Sequence, residues 1–130
     1  MKPLPLDISD AELIDFADRW AQLMEAEDYE AAFVFTEHTP EMSWTPALMR
    51  EVVKSYGDAN PSQKVTLLGT PTDITQRKNI RRHSPNRYRF IGEIWYDLNI
   101  DGFVSDLTAT FDLKTTSDGI IVYLNDIHVM

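Results

Sequence analysis

The last third of the chain alternates apolar and polar residues along three long segments, and this pattern limits the fold more than any other feature. The segments are NRYRFIGEIWYDL, GFVSDLTATFDLKT and GIIVYLNDIHVM. Asn99–Gly102 and Ser117–Gly119 lie between them and contain residues typical of tight turns. Because strand side chains point alternately to opposite faces, the pattern predicts three antiparallel strands joined by two hairpins.

The alternation assigns the side chains of the first two segments to two faces of a sheet. The inward face is predicted to hold Tyr88, Phe90, Ile94, Tyr96 and Leu98 with Gly92, and Phe103, Leu107, Ala109, Phe111 and Leu113 with Ser105. The opposite face is predicted to hold Arg89, Ile91, Glu93, Trp95 and Asp97, and then Asp106, Thr108, Thr110 and Asp112. We expect this second face to be solvated or to form an interface. Gly92 indicates a bulge or a bend in its strand.

Helical patterns precede these strands. Ser9 and Glu12 have the spacing of a capping box, and apolar residues then recur at steps of three and four as far as Met24. Asp28 is a suitable cap for a second, short helix. Thr45 followed by Pro46 is typical of the start of a third helix.

The middle of the chain gives weaker signals. Residues 64–70 are predicted to form a strand that ends at Pro71, and residues 75–86 are polar and basic and are predicted to form a mobile connection. The predicted fold is therefore a single α+β domain spanning residues 1–130, with N-terminal helices packed on a curved, mostly antiparallel, four-stranded sheet.

Composition excludes several classes of function. The chain has no cysteine, and 21 acidic residues outnumber 12 basic ones for a net charge of −9, which argues against nucleic-acid binding. The three histidines lie far apart, so we expect no metal site, and the chain lacks the glycine-rich motifs that bind nucleotide cofactors. The first ten residues lack the apolar stretch of a secretory signal, and no run approaches the ~18 apolar residues of a membrane span. We therefore expect a cytoplasmic protein without a cofactor.

Several motifs resemble small bacterial domains of the NTF2-like, or cystatin-like, superfamily. They are WAQLMEAEDYEAAF, TPALMREVVKSYG, the G-x-x-S-D-L-T-A-T hairpin and the final DIHV. The resemblance covers the chain from Ser9 onward and implies helices packed on one face of a bent antiparallel sheet. The superfamily includes isomerases and dehydratases, ligand-binding modules, and immunity proteins that neutralise toxins, so the resemblance by itself does not select a function.

The predicted polar face of the sheet supplies candidate partner-binding residues. They are Trp95, Glu93, Asp97, Asp106 and Asp112. An exposed Trp among carboxylates is typical of an interface, because Trp is enriched at binding hot spots. The basic stretch from Arg77 to Arg89 is interpreted as a loop whose charges are balanced by neighbouring carboxylates, not as a nucleic-acid site.

Catalytic and pocket residues are less clearly indicated. Asp126 and His128 are two residues apart on a strand and share a face, so a general base with its orienting carboxylate is conceivable, but a surface pair is the favoured interpretation. If the fold encloses a cone-shaped pocket, Trp20, Tyr88, Tyr96 and Phe111 are the expected lining residues, although aromatic residues of this kind are more often part of a core.

The favoured hypothesis is a non-enzymatic protein-binding domain, most specifically a bacterial immunity protein that neutralises a basic toxin domain through its acidic, Trp-containing surface. The alternative is a small-molecule-binding protein, or an isomerase or dehydratase that uses the cone-shaped pocket. Self-association into a homodimer is a third hypothesis.

Overall fold

The computed structural model describes residues 1–129 and contains three α-helices and one sheet. The helices are α1 (Asp10–Glu25), α2 (Tyr29–Phe35) and α3 (Pro46–Lys54), with a 3-10 turn at Pro40–Met42. The strands are β1 (Glu37–His38), β2 (Val65–Thr66), β3 (Lys78–Arg82), β4 (Phe90–Ile100), β5 (Phe103–Thr116) and β6 (Gly119–Val129). The three long C-terminal strands and both hairpins are as predicted.

The sheet is mixed, and its strands follow the order β1-β6-β5-β4-β2, with β3 also paired to β4. Only the two-residue β1 runs parallel to its neighbour, and the other pairings are antiparallel. The α+β class is confirmed. The prediction of four strands is wrong, because the sheet contains six within the described residues.

Each helix begins at the side chain that the sequence indicates. Ser9 Oγ accepts a hydrogen bond from the Glu12 N–H at 3.1 Å, and the Glu12 side chain accepts one from the Ser9 N–H at 3.2 Å. Asp28 accepts from the Ala31 N–H at 3.1 Å at the start of α2. Thr45 accepts from the Leu48 N–H at 3.0 Å at the start of α3. These caps satisfy N–H groups that have no partner inside the helix.

The core lies between the helices and one face of the sheet, which we call the inner face. The fully buried Trp20 of α1 packs edge-on against Phe111 of β5, with ring centroids 5.1 Å apart. The same core joins buried residues of α2 and α3 to Ile94, Tyr96 and Leu124 of the long strands. Burial of this apolar face is the main stabilising contribution to the fold.

Bulges interrupt the pairing of β4 and β5. The register skips Ile91 between Phe90 and Gly92, and it skips residues 105–107 of β5 opposite Leu98. The single extra residue at Ile91 moves Phe90 to the other face, whereas the two extra residues of β5 leave its alternation in phase. Phe103 was expected to point inward and is instead 57% exposed, while its neighbour Val104 is buried. The expected burial of Phe103 is wrong because this residue directly follows the Asp101-Gly102 turn, at the end of the hairpin.

The basic middle segment contains β3, although residues 75–86 were predicted to be a mobile connection. Lys78 and Arg82 of this strand form ion pairs with Asp18 and Asp10 of α1, at 2.8 and 2.7 Å. The predicted strand over residues 64–70 is reduced to β2 and a single bridge at Thr70. The carboxylates of α1 thus allow a strand with few apolar residues to join the sheet.

We predict that Gly92→Ala releases β3 from the sheet. A Cβ at this position would overlap the backbone carbonyl oxygen of Arg81, which the bulge brings close to Gly92. Urea denaturation should show a loss of about 1–3 kcal/mol, the usual cost of overpacking. Hydrogen exchange should show lower protection of the Arg81 amide, because the register places Arg81 in a hydrogen-bonded pair with Glu93.

Gly57→Ala is the control, because Gly57 has a positive φ of 61° but open space around an added Cβ. This control should lose stability without releasing β3. Unchanged protection of the Arg81 amide in Gly92→Ala would contradict the role of Gly92.

Candidate functional site

The sheet face opposite the helices, which we call the outer face, collects the polar residues of the long strands. Its residues are Glu93, Trp95 and Asp97 of β4, Thr108, Thr110 and Asp112 of β5, and Tyr123, Asp126 and His128 of β6. They form three cross-strand rows, which are Glu93-Asp112-Tyr123, Trp95-Thr110-Asp126 and Asp97-Thr108-His128. The pairing of the long strands therefore brings most of the predicted binding residues onto one surface.

Trp95 lies at the centre of the outer face, outside the core cluster that joins the helices to the sheet. The guanidinium of Arg77 lies 5.2 Å from the centroid of its ring, a favourable cation–π contact. Trp95 was expected to be exposed, but it is partly buried, and its cross-strand neighbour Thr110 is buried. The residues at the centre of the outer face are therefore less exposed to solvent than the sequence pattern predicts.

Asp97 has a buried carboxylate that connects β4 to the segment before β3. Its oxygens accept hydrogen bonds from the Arg77 N–H at 2.9 Å, from Arg77 Nη2 at 3.2 Å and from Thr108 Oγ1 at 2.8 Å. The side chain is 10% exposed. Asp97 therefore positions Arg77 beside Trp95, and its own carboxylate is little exposed at the outer face.

Glu93 and Asp106 remain accessible at opposite parts of the outer face. Glu93 is 3.3 Å from the guanidinium of Arg81, whose side chain is 72% exposed. Asp106 is exposed beside the bulge of β5, and its carboxylate accepts a hydrogen bond from the hydroxyl of Tyr56. It borders the same surface depression as Arg77, Asp97 and Thr108.

Asp126 and His128 are neighbours, as their spacing predicts. His128 Nδ1 is 3.0 Å from Asp126 Oδ2, but the contact lacks hydrogen-bond alignment. The other oxygen of Asp126 accepts the Ile127 N–H at 2.9 Å. The two side chains are 39% and 31% exposed. This arrangement lacks the aligned base and orienting carboxylate that general-base catalysis uses.

The four predicted pocket residues are not brought together. Trp20, Tyr96 and Phe111 are at most 1% exposed and fill the core, whereas Tyr88 is 58% exposed at the tip of the β3–β4 hairpin. The inward placement of Tyr88 is wrong, because the hairpin ends its turn at Arg89, which has a positive φ of 70°. The Tyr96 hydroxyl donates to Asp18 Oδ1 at 2.6 Å. Burial and this hydrogen bond raise the pKa of Tyr96, so its hydroxyl stays a donor.

A concave site that the sequence did not indicate lies at one end of the outer face. The acidic aromatic cavity is bordered by Glu41, Tyr88, Phe90, Asp112, Lys114 and Tyr123, and has a volume of about 620 Å³. Phe90 was predicted to face inward, but the bulge at Ile91 places it opposite Lys114. Gly92 signalled an irregularity in the strand, but not the side to which Phe90 would turn.

The surroundings of Asp112 on the outer face change the pKa of its carboxylate. Burial, and then the negative charges of Glu93 and Glu41, raise the pKa of Asp112 above its ordinary value. Within residues 1–129 no Lys or Arg forms an ion pair with it. The cavity therefore contains a carboxylate that forms no ion pair with a Lys or Arg in the described residues, although Lys114 also borders it.

Comparisons of the chain with protein-family models, curated proteins and solved structures find no match. In the described part of the chain, no group of three acidic or histidine side chains is arranged to hold a metal ion. None of the three helices has both the length and the apolar character needed to cross a membrane.

Replacement of Asp97 tests its role in the sheet. We predict that Asp97→Ala lowers the free energy of unfolding by about 1–3 kcal/mol, because the partly buried donors of Arg77 and the buried hydroxyl of Thr108 lose their acceptor. Chemical denaturation measures this loss, with Asp118→Ala in the exposed β5–β6 turn as the control. A loss equal to that of the control would show that Asp97 does not hold this region.

The raised pKa of Asp112 predicts a pH-dependent effect on stability. A carboxyl group with a higher pKa in the folded state binds its proton more tightly there, so its ionisation destabilises the fold as pH rises. Asp112→Asn should therefore be more stable than the unmodified protein at neutral pH. This advantage should disappear as pH falls through the folded-state pKa towards the ordinary Asp value. Denaturant midpoints at several pH values measure it, and a pH-independent difference would contradict the assignment.

Proposed function

We propose that this chain is a non-catalytic protein-binding domain whose partner docks on the outer face. The main support for the proposal is that only one face of the sheet packs against the helices. The inner face is buried against the helices, while the outer face keeps Trp95 and Tyr123 outside the core, beside carboxylates. Aromatic side chains surrounded by polar groups are typical of binding surfaces.

The charge of the surface favours a basic partner. Glu93 and Asp97 have arginine partners, but neither Asp112 nor Asp126 has a Lys or Arg within 4.0 Å in the described structure. The whole chain carries a net charge of −9. Long-range attraction between this acidic chain and a basic protein would raise the association rate and orient the encounter.

The specific form that we propose is a bacterial immunity protein that neutralises a toxin domain. Nuclease toxins need basic clefts to bind phosphate groups, and an acidic protein that covers such a cleft would block it. The resemblance of the helical and hairpin motifs to the NTF2-like superfamily supports this form, because that superfamily includes immunity proteins.

The alternative of an enzyme or carrier with a cone-shaped pocket receives less support. That function needs an open interior lined by aromatic residues, yet Trp20, Tyr96 and Phe111 are packed against one another or against α1 with at most 1% exposure. A ligand could reach them only after the core opens, which costs stability.

We predict that reversing two charges on the outer face prevents partner capture. The tagged protein and Glu93→Lys/Asp126→Lys would be used to capture proteins from a lysate of the source bacterium, with identification by mass spectrometry. Unfavourable charges at an interface cost several kcal/mol, so recovery of the partner should fall by at least about tenfold. Co-expression should also protect cells from the captured toxin only when the outer face is intact.

Glu51→Lys/Asp58→Lys is the matched control, because it changes the net charge equally on exposed residues of α3 and the following loop. Equal capture by both double variants would contradict docking on the outer face. A concentration-dependent homodimer that only the outer-face variant disrupts would assign this surface to a second copy of the chain, against the proposal.

A further inference from the structure

We infer that the acidic aromatic cavity receives an arginine or lysine side chain from the protein partner. The inference rests on the proposed function and adds to it the chemical group of the partner that the outer face binds. The cavity is concave and lies beside the Glu93-Asp112-Tyr123 row, at one end of the proposed docking surface. Its volume of about 620 Å³ is within the range of sites that bind small molecules, so it is large enough to admit one side chain.

The aromatic walls suit a cation. The rings of Phe90 and Tyr123 meet edge to face, with centroids 6.0 Å apart and an interplanar angle of 76°. Tyr88 adds a third aromatic side chain from the β3–β4 hairpin. Ring faces carry negative electrostatic potential and attract Lys and Arg side chains.

The third aromatic wall is held by a hydrogen-bonded turn. The side-chain oxygen of Asn86 accepts from the Tyr88 N–H at 2.9 Å and from the Phe90 N–H at 3.0 Å. The Thr115 N–H also donates to the carbonyl of Arg89 at 2.9 Å, which joins the hairpin to β5. The backbone that carries Tyr88 is therefore preformed, and binding does not have to order it.

The charge inside the cavity also favours a cation. Asp112 and Glu41 both border it, and repulsion from Glu41 and Glu93 is part of the reason that the pKa of Asp112 is raised. A bound guanidinium or ammonium would reduce this repulsion. A guanidinium would in addition donate two parallel hydrogen bonds to the Asp112 carboxylate.

Lys114 of the chain itself already makes the ammonium–ring contacts that are proposed for the partner. Its Nζ lies 5.9 Å from the ring centroid of Phe90 and 5.9 Å from that of Tyr123. The chain thus already places an ammonium beside both rings. A partner cation would compete with this ammonium, so removal of Lys114 should strengthen binding.

Three small probes test the inference in solution. N-acetyl-arginine amide and N-acetyl-lysine amide carry the two cations, and N-acetyl-citrulline amide is a neutral isostere of the first. We expect both cationic probes to shift the NMR amide signals of Phe90, Asp112 and Tyr123 saturably, and citrulline to bind at least about tenfold more weakly.

Variants of the cavity give effects of opposite sign. Asp112→Asn should weaken arginine-probe binding by about tenfold, while Lys114→Met should strengthen it severalfold. Asp118→Asn, in the exposed turn, should leave binding unchanged. Equal binding of citrulline, no saturable shift with either cation, or weaker binding to Lys114→Met would overturn the inference.

Partner capture separates this inference from the proposed function. Asp112→Asn should reduce capture in parallel with its effect on the arginine probe. If the probe binds but capture is unchanged, the cavity binds free small cations and not a side chain of the partner, and the inference fails. If Glu93→Lys/Asp126→Lys abolishes capture while no probe binds, the proposed function stands and only the inference about the cavity fails.

Discussion

The packing of one sheet face against α1 is the interaction on which the rest of the structure depends. Trp20 and Phe111 make the central contact, with ring centroids 5.1 Å apart, and both are almost completely buried. Strand side chains point alternately to opposite faces of the sheet. Because the apolar face packs against the helices, Glu93, Trp95 and Asp126 lie on the opposite face. The outer face is therefore a direct consequence of the core.

The bulge at Ile91 changes which side chains lie on the outer face, close to the proposed binding site. Skipping Ile91 turns Phe90 to the outer face, where it meets Tyr123 and the ammonium of Lys114. Gly92 lets the backbone of β3 approach at the same place, so that the hairpin carrying Tyr88 can border the cavity. The bulge at Ile91 of β4 thus determines both how β3 joins the edge of the sheet and the shape of the acidic aromatic cavity.

Sequence patterns predict those parts of the structure that depend on local chemistry. The helix caps, the two hairpins, the α+β class and the shared surface of Asp126 and His128 follow from spacing alone. The strand β3 was missed because its cations are neutralised by α1, which is distant in sequence. The buried position of Asp97 and the outward turn of Phe90 were missed for a related reason, since both depend on pairing between strands.

Site-specific photocrosslinking would show directly whether the partner docks on the outer face. A benzophenone amino acid would replace Asp126 on the outer face in one protein and Glu51 on α3 in another. If the partner docks on the outer face, it should crosslink from position 126 and not from position 51. Crosslinking from position 51 alone would place the partner on the helical side and would contradict the assignment of the outer face as the binding surface.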